Sequence, residues 1–483
     1  MNNWELNFRV DTFGLSAFDD DKLKFQSHKL NTSDNQFEIF EKIYYSFDKT
    51  FILESLVGPT ELSQISIIGF DPKISINCNS KVFKIYNRKN KIIEKIDTTE
   101  PLSELRKVMP KISDYQFRYI GGAVGYISYD AIRFWESIPN NRKQKNKFPL
   151  LEFGIYTDGI IFNHAENQAY YFHVTKDCRL DQIQKKLDNH SKDSRRHSLS
   201  YSVPKPNITK KKYMALVNEC KDHLYNGDIF QVVLSRKMEF GIKGDFLGVY
   251  RSLREINPSP YMYMLKISNK CIIGSSPEML LRITKDIIET FPIAGTRPIV
   301  NDENTNKQSR INLLNDEKEI AEHTMLVDLA RNDIGRVSRY GTVRVHNLMA
   351  VKRFSHVQHI VSHVIGRLEK GKDSFDAFRA IFPAGTVSGA PKVRAMEIID
   401  ELEPSLRGPY AGALGYFSFN GSCDFAITIR TLFINGNRAY VQSGAGIVID
   451  STPENEWNET EYKLNAIISA LKKTKETKIS KIY

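Results

Sequence analysis

Short alternating runs of apolar and polar residues dominate the first part of the chain, up to about residue 185. Examples are residues 81–86, 121–127 and 160–162, and the runs are separated by Asn, Asp and Gly. This period of two is typical of half-buried antiparallel strands. From Tyr213 onward, segments with helical spacing are mixed with strands, without strict alternation. The pattern therefore predicts an α+β fold rather than a doubly wound parallel sheet.

The second part of the chain carries clear helix boundaries. Residues 210–226 predict a helix that ends at Gly227, a residue type that commonly stops helices, and residues 229–240 then predict a strand. Further helices are predicted at 315–331, 392–402 and 456–471, and further strands at 411–419, 425–433 and 438–443.

Length and composition suggest a division of the chain. Its 483 residues exceed the roughly 250–300 residues at which single cores stop growing. Residues 191–212 are polar and basic and contain two prolines, which indicates a linker. We therefore distinguish an N-terminal region, 1–190, a basic linker, 191–212, and a C-terminal region, 213–475.

The net charge of +11 is concentrated in the runs 185–196, 205–212 and 472–481. A basic chain can bind nucleic acid or an anionic small molecule. These runs lack interleaved aromatic residues, and no nucleic-acid motif accompanies them. We therefore favour a solvated linker and tail over nucleic-acid binding.

Composition also argues against membrane and secreted classes. No run approaches the ~20 apolar residues of a membrane helix, and the first residues lack the basic-then-apolar order of a signal peptide. The five cysteines are scattered and form no Cys-x-x-Cys pair. We expect a cytoplasmic protein with buried free thiols, and neither disulfides nor a zinc knuckle.

Two pairs of glutamates lie on predicted helices. Glu319 and Glu322 form one pair, and Glu456 and Glu459 form the other. Residues three apart point to the same helix face, so two such helices could enclose a cation with carboxylate oxygens, which Mg²⁺ prefers. The alternative is two solvated helix faces.

Three histidines, His356, His359 and His363, follow one another closely. A zinc site is one interpretation, but no cysteine and no His-Glu-x-x-His motif accompanies them. We therefore favour a single catalytic or hydrogen-bonding histidine, His359.

Segments of small residues at 292–298, 383–392 and 443–446 could hold an anion with their exposed amides, although each taken singly could be an ordinary turn. Arg430 falls inside an apolar strand pattern, where a charge needs a partner. That partner is either the carboxylate of a ligand, gripped in a bidentate manner, or a structural ion pair.

These segments, taken in order, resemble the chorismate-utilising enzymes, and most closely the large subunits of anthranilate synthases. The resemblance covers residues 213–470 almost continuously, and in the N-terminal region it rests mainly on Leu53-Glu54-Ser55. It implies antiparallel sheets packed as a sandwich, flanked by helices, with a core shared by both regions. The motifs that carry it are residues 227–235, 257–262, 274–278, 322–333 and 388–392.

The resemblance also implies roles for individual residues. Glu322 and Glu459 resemble direct Mg²⁺ ligands, with Glu319 and Glu456 as direct or water-bridged companions. Glu278 resembles a general acid for departure of the C4 hydroxyl of chorismate, which requires a raised pKa and partial burial. The remaining implied site residues are His359 for loss of the C2 proton, Thr386 beside the substrate, and Gly295, Thr296, Tyr410, Arg430, Gly444, Ala445 and Gly446 as substrate holders.

Two positions distinguish the reactions of this family. Relatives that add water to chorismate carry a lysine base at the position of Gln231, and glutamine cannot deprotonate water. Aminodeoxychorismate synthases usually carry a lysine nucleophile at the position of Ala294. Both positions therefore favour direct attack by ammonia and formation of anthranilate.

The resemblance further implies a regulatory tryptophan site and a partner subunit. The site would be lined by Leu53, Glu54, Ser55, Pro260, Tyr261 and Met262. The usual Leu-Leu-Glu-Ser has Ile52 here in place of its first leucine, which is a conservative change. No cysteine lies in the Gly-x-Cys-x-Gly elbow of a glutamine amidotransferase, so ammonia would come from a separate subunit.

Overall fold

A computed structural model describes residues 23–57, 64–139, 148–188, 198–353 and 357–476. The first residues of the chain, His356, residues 191–197 of the predicted linker and the end of the basic tail lie outside this range. The strands are β1 Gln26–Lys29, β2 Lys49–Glu54, β3 Ile65–Phe70, β4 Ile74–Asn79, β5 Val82–Asn87, β6 Ile92–Asp97, β7 Gly122–Ile127, β8 Leu151–Tyr156, β9 Asp158–Asn163, β10 Gln168–His173, β11 Leu199–Tyr201, β12 Lys205–Pro206, β13 Gln231–Gly244, β14 Tyr261–Ile267, β15 Lys270–Ser276, β16 Met279–Thr284, β17 Ile287–Thr290, β18 Ile293–Pro298, β19 Arg344–Arg353, β20 Val357–Arg367, β21 Gly389–Ala390, β22 Ala413–Ser418, β23 Cys423–Ile427, β24 Thr431–Asn435 and β25 Arg438–Ile447.

The four helices that the sequence predicts are present, and the last of them extends beyond its predicted bounds of 456–471 at both ends. Asp316 caps α7 by accepting a hydrogen bond from the Glu319 amide, and α9 spans the predicted 392–402. The α-helices are α1 Gln36–Tyr44, α2 Pro101–Lys107, α3 Leu180–Asp188, α4 Lys210–Tyr225, α5 Leu247–Ile256, α6 Glu303–Leu314, α7 Glu317–Gly335, α8 Ser374–Ile381, α9 Lys392–Leu402 and α10 Pro453–Glu476, and short 3₁₀ helices span Tyr129–Phe134 and Gly385–Val387.

The strands form two antiparallel sheets, here called sheet 1 and sheet 2. Sheet 1 has the order β1-β10-β9-β3-β2-β14-β15-β24-β25-β13-β11, with β12 and β21 also paired to β13. Sheet 2 has the order β18-β20-β17-β16-β23-β22-β7-β8-β4-β5-β6, with β19 paired to β20. The predicted α+β class is confirmed.

The two sheets face each other across a common apolar core. Phe51 and Ile272 of sheet 1 belong to the same buried cluster as Phe153 and Phe425 of sheet 2. Burying one such side chain contributes roughly 1.5–3 kcal/mol. Helices α1, α3, α4, α5, α9 and α10 contribute to two further clusters on the outer face of sheet 1, while α7 packs against β18 and β20. The result is a sandwich with flanking helices.

Both sheets join strands from the two regions of the sequence. Strand β2 pairs with β14 in sheet 1, and β7 pairs with β22 in sheet 2. The division near residue 190 therefore falls within continuous sheets. Within the predicted linker, the described part contains β11 and β12, both paired with β13, and the first turn of α4. This part of the linker is an ordered sheet edge.

The apolar run at 425–433 does not form one strand, which corrects the sequence prediction. It divides into β23 in sheet 2 and β24 in sheet 1, and the chain crosses between the sheets at residues 428–430. Both pieces are buried on two faces, so neither shows the alternation of apolar and polar residues that would define it as a separate strand. Arg430 occupies the crossing with a positive φ of 49°.

The thiols are free, as predicted. Cys78, Cys220, Cys271 and Cys423 are buried, whereas Cys178 is exposed, so the expectation of burial fails at that one position. In the described ranges, no helix is both long and apolar enough to cross a membrane.

Candidate active site

A cavity of about 540 Å³ opens where one end of sheet 1 meets one end of sheet 2. Strands β13 and β25 form one wall, β18 and β20 form another, and the helices α7 and α10 close it. The predicted site residues that line it are Gln231, Glu278, Gly295, Thr296, Glu319, Glu322, His359, Thr386, Tyr410, Arg430, Gly444, Gly446, Glu456 and Glu459.

One predicted substrate holder does not line this cavity. The side chain of Ala445 is fully buried in the apolar cluster behind sheet 1, beside Leu234 and Ile398. Side chains alternate between the two faces of a strand, so Gly444 and Gly446 face the cavity and Ala445 faces the opposite way.

The four glutamates approach one another from two helices. Arg297 donates to Glu319 at 3.0 Å, and Lys463 pairs with Glu459 at 2.6 Å. Neither Glu322 nor Glu456 has an ion pair within the described residues. Burial, reinforced by repulsion from Glu319, raises the pKa of Glu322. Burial followed by repulsion from Glu459 likewise raises the pKa of Glu456. The cluster therefore carries negative charge that its neighbours leave partly uncompensated.

This carboxylate cluster fits a hard cation that keeps part of its water shell. Oxygen Oε2 of Glu456 is buried and has no hydrogen-bond partner, which leaves one acceptor oriented for a ligand. No three of the four glutamates have carboxylate oxygens that all lie within 4.8 Å of one another in the described structure. Mg²⁺ is usually bound by one or two carboxylates, several waters and a substrate oxygen, and this looser arrangement suits it.

Glu278 is set for proton donation. It lies between β15 and β16, is 8% exposed, and its backbone carbonyl accepts from the Ile427 amide at 3.1 Å. Burial raises the pKa of Glu278 to about 7, although Thr386, Lys463 and Arg430 act in the opposite direction. A carboxyl group with this pKa is still substantially protonated near neutral pH and can serve as a general acid.

His359 is set for proton acceptance. It lies on β20, and its Nδ1 is 2.9 Å from the Gly295 carbonyl oxygen and 3.1 Å from the Thr296 hydroxyl oxygen. A carbonyl can only accept, so the Nδ1–H donates to it and Nε2 carries the lone pair. Burial lowers the pKa of His359 to about 4, so the ring is neutral above that pH.

Arg430 is a cation that forms no ion pair with any described residue. Its guanidinium lines the cavity, and within the described residues it makes neither a side-chain hydrogen bond nor an ion pair. Burial lowers the pKa of Arg430 from its ordinary value. A partly desolvated guanidinium in this position is complementary to an anion, which argues against the structural ion pair that the sequence left open.

Glycines allow the close approach of polar groups to the cavity wall. Gly295 forms a bulge in β18 with a positive φ of 63°, and an added Cβ would come within 3.0 Å of Glu319 Oε2. At Gly446 an added Cβ would lie 2.7 Å from Nε2 of Gln231. That Nε2 donates to Oε1 of Glu322 at 3.2 Å, and the Oε1 of Gln231 is buried without a partner.

Sequence reasoning missed Lys463, which lines the cavity and donates to the Gly444 carbonyl at 3.0 Å as well as pairing with Glu459. A signal was available, because Lys463 follows Glu459 by four residues on α10 and therefore shares its helix face. Lys318, beside Glu319, also lines the cavity and was missed.

A second, smaller pocket is lined by all six residues predicted for tryptophan. It lies between the two sheets, next to the point where Met262 of β14 pairs with Glu54 of β2. Its volume is about 50 Å³, room for a few water molecules. Ser55 Oγ is buried without a hydrogen-bond partner. Arg118, Arg282 and Asp424 form the opposite wall. The lining residues from the prediction are Leu53, Glu54, Ser55, Pro260, Tyr261 and Met262.

Comparisons with known proteins point to one enzyme family. Residues 49–469 match a family described as chorismate binding enzyme. The anthranilate synthase component 1 of Methanothermobacter thermautotrophicus is 46% identical over 435 residues, which cover 90% of this chain and 92% of that protein.

Solved structures show the same fold. A crystal structure of anthranilate synthase component I from Streptococcus pneumoniae aligns with a TM-score of 0.74 at 36% identity, covering 86% of this chain and 94% of that one. The menaquinone-specific isochorismate synthase of Escherichia coli aligns with a TM-score of 0.70 at 18% identity, covering 93% and 95%. At that identity the second likeness concerns the fold alone.

Proposed function

Because this chain belongs to the chorismate-binding enzymes, and within them to the component 1 group of anthranilate synthases, we propose that its cavity converts chorismate and ammonia into anthranilate and pyruvate. One observation carries this proposal. A protonatable Glu278 and a neutral His359 lie in the same cavity as Arg430, which forms no ion pair with any described residue.

Chorismate is a dianion, and the cavity offers complementary groups for its carboxylates. The guanidinium of Arg430 binds one carboxylate, and backbone amides at Gly444 and Gly446 lie on the same wall. Tyr410 and Thr296 complete the polar lining. The arrangement holds the ring between Glu278 and His359.

In the first step ammonia attacks C2 of the ring, the double bonds shift, and the C4 hydroxyl leaves as water. Glu278 supplies the proton that the departing oxygen needs. Gln231 positions the ammonia, because its buried Oε1 accepts an N–H while its Nε2 is held by Glu322. The added nitrogen then releases its extra proton to solvent, and an amino intermediate remains.

In the second step Nε2 of His359 takes the proton from C2. The bond from C3 to the ether oxygen breaks, the ring becomes aromatic, and enolpyruvate leaves. Enolpyruvate accepts a proton at its terminal carbon and becomes pyruvate. The neutral state of His359 supports this role, since a protonated imidazole could not accept a proton.

We further propose that Glu322 and Glu459, with Glu319 and Glu456, hold Mg²⁺. When bound, the ion neutralises and polarises the ring carboxylate of chorismate. The support is the partnerless Oε2 of Glu456 and the raised pKa of both Glu322 and Glu456, which a divalent cation would reverse.

Glutamine-derived ammonia would reach this cavity from a second subunit. The name component 1, borne by the relatives, presupposes a component 2. This chain contains no glutamine amidotransferase elbow, so we propose that the partner releases the ammonia and that the isolated chain uses free ammonia at raised pH.

Two other reactions of the family remain as rivals. Gln231 and Ala294 line the cavity, and neither position holds the lysine that hydration or aminodeoxychorismate formation would use. Incubation of the purified chain with chorismate, Mg²⁺ and ammonium should therefore yield fluorescent anthranilate. Formation of isochorismate or aminodeoxychorismate alone would overturn the proposal. Omission of Mg²⁺ in the presence of a chelator is the matched control.

We also propose that L-tryptophan inhibits the enzyme by binding the second pocket. The support is the convergence of Ser55, Pro260 and Met262 around a cavity in which Ser55 Oγ lacks a partner. The walls must separate to admit an indole, since the pocket holds only a few waters. Calorimetry should detect saturable binding of L-tryptophan, and no heat at millimolar ligand would refute the idea.

A further inference from the structure

The edge of sheet 1 brings two histidines and the exposed cysteine together, away from both pockets. His28 lies on β1, His173 ends β10, and Cys178 lies in the turn that leads to α3. One ring nitrogen of each histidine and the sulfur of Cys178 lie within 4.8 Å of one another. In the part of the chain that is described, no other three potential metal ligands of the His, Cys, Asp or Glu type lie so close together.

The strand register explains the approach of the two imidazoles. His28 is opposite Tyr171, so His28 and His173 share one face of the sheet as diagonal neighbours. Their Nε2 atoms are 3.2 Å apart. The Nδ1–H of His173 donates to the Thr175 carbonyl at 2.7 Å, which leaves the lone pair on the Nε2 that faces His28. Histidines that ligate metals usually make this second hydrogen bond.

The turn that carries Cys178 is anchored beside these histidines. The backbone amide of Arg179 donates to the Tyr171 hydroxyl at 2.8 Å. The side-chain Nε of Arg179 donates to the Asp158 carboxylate at 2.8 Å. Arg179 also pairs with Asp71. The thiol is therefore placed by contacts that do not involve the histidines, and its exposure leaves a route for a ligand from solvent.

We propose that His28, His173 and Cys178 bind one divalent transition-metal ion of the zinc class, with water as the fourth ligand. Zinc–nitrogen distances of about 2.0–2.1 Å in tetrahedral geometry place two ligand nitrogens about 3.3–3.4 Å apart, close to the 3.2 Å between the two Nε2 atoms. The imidazoles bind in their neutral form, and the thiol proton passes to solvent as the sulfur–metal bond forms.

This site differs in chemistry from the glutamate cluster of the active site. Imidazole and thiolate ligands select borderline and soft metals, whereas carboxylates suit Mg²⁺. The ion would tie β1, a four-residue edge strand, to the turn before α3. It would thereby stabilise the edge of sheet 1, since a ligand that binds the folded state stabilises it.

The test is a titration of the full chain with Co²⁺ in saturating Mg²⁺, which occupies carboxylate sites. We expect a thiolate-to-cobalt charge-transfer band that reaches its maximum at one equivalent and is displaced by Zn²⁺. Cys178→Ser should abolish the band. His28→Gln should raise the dissociation constant by about 100-fold or more, because even outer-sphere partners contribute 10–100-fold. His346→Gln, an exposed histidine on β19, is the control and should leave the band unchanged.

A second measurement uses the thiol itself. Because the other four cysteines are buried, a thiol reagent should label mainly Cys178 in the native chain, and Zn²⁺ should slow that labelling. The proposal fails if wild-type protein shows no charge-transfer band, if the band survives Cys178→Ser, or if Zn²⁺ leaves labelling unchanged. These outcomes would indicate that His28 and His173 merely share a hydrogen bond.

Discussion

Replacement of Glu278 by glutamine should remove the proton donor of the first step while keeping the size of the side chain. Glu278 is buried, and the difference between its ordinary pKa of 4.5 and a pKa of about 7 corresponds to roughly 3 kcal/mol against the ionised form. The wild-type group therefore keeps its proton over most of the range below pH 7. Glutamine can occupy the same space but has no proton to transfer.

The expected loss in Glu278→Gln is about 10²- to 10⁴-fold in kcat/KM for chorismate, the usual contribution of a positioned general acid. A plot of kcat/KM against pH for the wild-type enzyme should also have two limbs, one rising and one falling. His359 becomes neutral as the pH rises through about 4, so the rate rises there. Glu278 loses its proton as the pH rises through about 7, so the rate falls there. Glu278→Gln should lose the second limb.

The assay is anthranilate fluorescence as a function of pH, with the concentration of unprotonated ammonia held constant at every point. Under that condition kcat/KM reports the free enzyme, to which the two pKa values belong. Glu289→Gln is the matched control, because Glu289 lies on β17 outside the cavity and pairs with His363. This control should retain both limbs.

Two results would refute the assignment of Glu278. One is a Glu278→Gln variant that retains more than about one tenth of the wild-type rate, because removal of a general acid should lower the rate by at least about 100-fold. The other is a falling limb near pH 7 that persists in that variant, since another group would then be the acid.

Three further substitutions test the remaining parts of the site. His359→Ala should let the amino intermediate accumulate and slow anthranilate release by about 10²- to 10⁴-fold, as followed by chromatography of quenched reactions. Arg430→Lys should raise KM for chorismate by about 10-fold or more, because a bidentate contact is lost, and steady-state kinetics will measure it. Ser55→Phe should occupy the space that an indole would need and abolish inhibition by tryptophan, as shown by inhibition curves normalised to the basal rate of the variant.

Local signals in the sequence predicted much of the fold but not the division into two sheets. The helices at 392–402 and 315–331 depend on neighbouring residues, and α9 and α7 lie close to where the pattern places them. The break at Arg430 depends on which sheet each strand joins. Both strands are buried on two faces, so neither alternates between apolar and polar residues, and periodicity does not show where one strand ends and the next begins.

The candidate site was predictable as a set of residue types, but its charge balance was not. Spacing placed Glu456 and Glu459 on one helix face, and the structure adds that Lys463 compensates Glu459 and leaves Glu456 without an ion pair in the described residues. The same holds for Arg430, because its lack of an ion pair in the described part of the chain depends on its surroundings in the folded protein. Whether a charge is compensated depends on the side chains that surround it in the folded protein, and the pattern of a single sequence does not show which these are.

Gln231 offers the sharpest test of why this cavity would use ammonia. Its Nε2 donates to Glu322 at 3.2 Å and its Oε1 is buried and free of hydrogen bonds. In Gln231→Lys an ammonium group would pair with Glu322, and the acceptor for ammonia would disappear. A hydrogen bond to a charged group, which the attacking nitrogen becomes, contributes about 1.5–3 kcal/mol, which corresponds to about 10- to 150-fold in rate.

Chromatographic analysis of products from Gln231→Lys should therefore show slower formation of anthranilate. Gln231→Met removes both polar atoms without adding charge. It therefore separates loss of the acceptor for ammonia from pairing of a new ammonium group with Glu322. If loss of the acceptor dominates, both variants slow amination alike. A larger decrease in Gln231→Lys would indicate that the lysine ammonium competes with Mg²⁺ at Glu322. Wild-type amination in both variants would show that Gln231 does not position ammonia, and the preference for ammonia would then have to reside in another residue of the cavity.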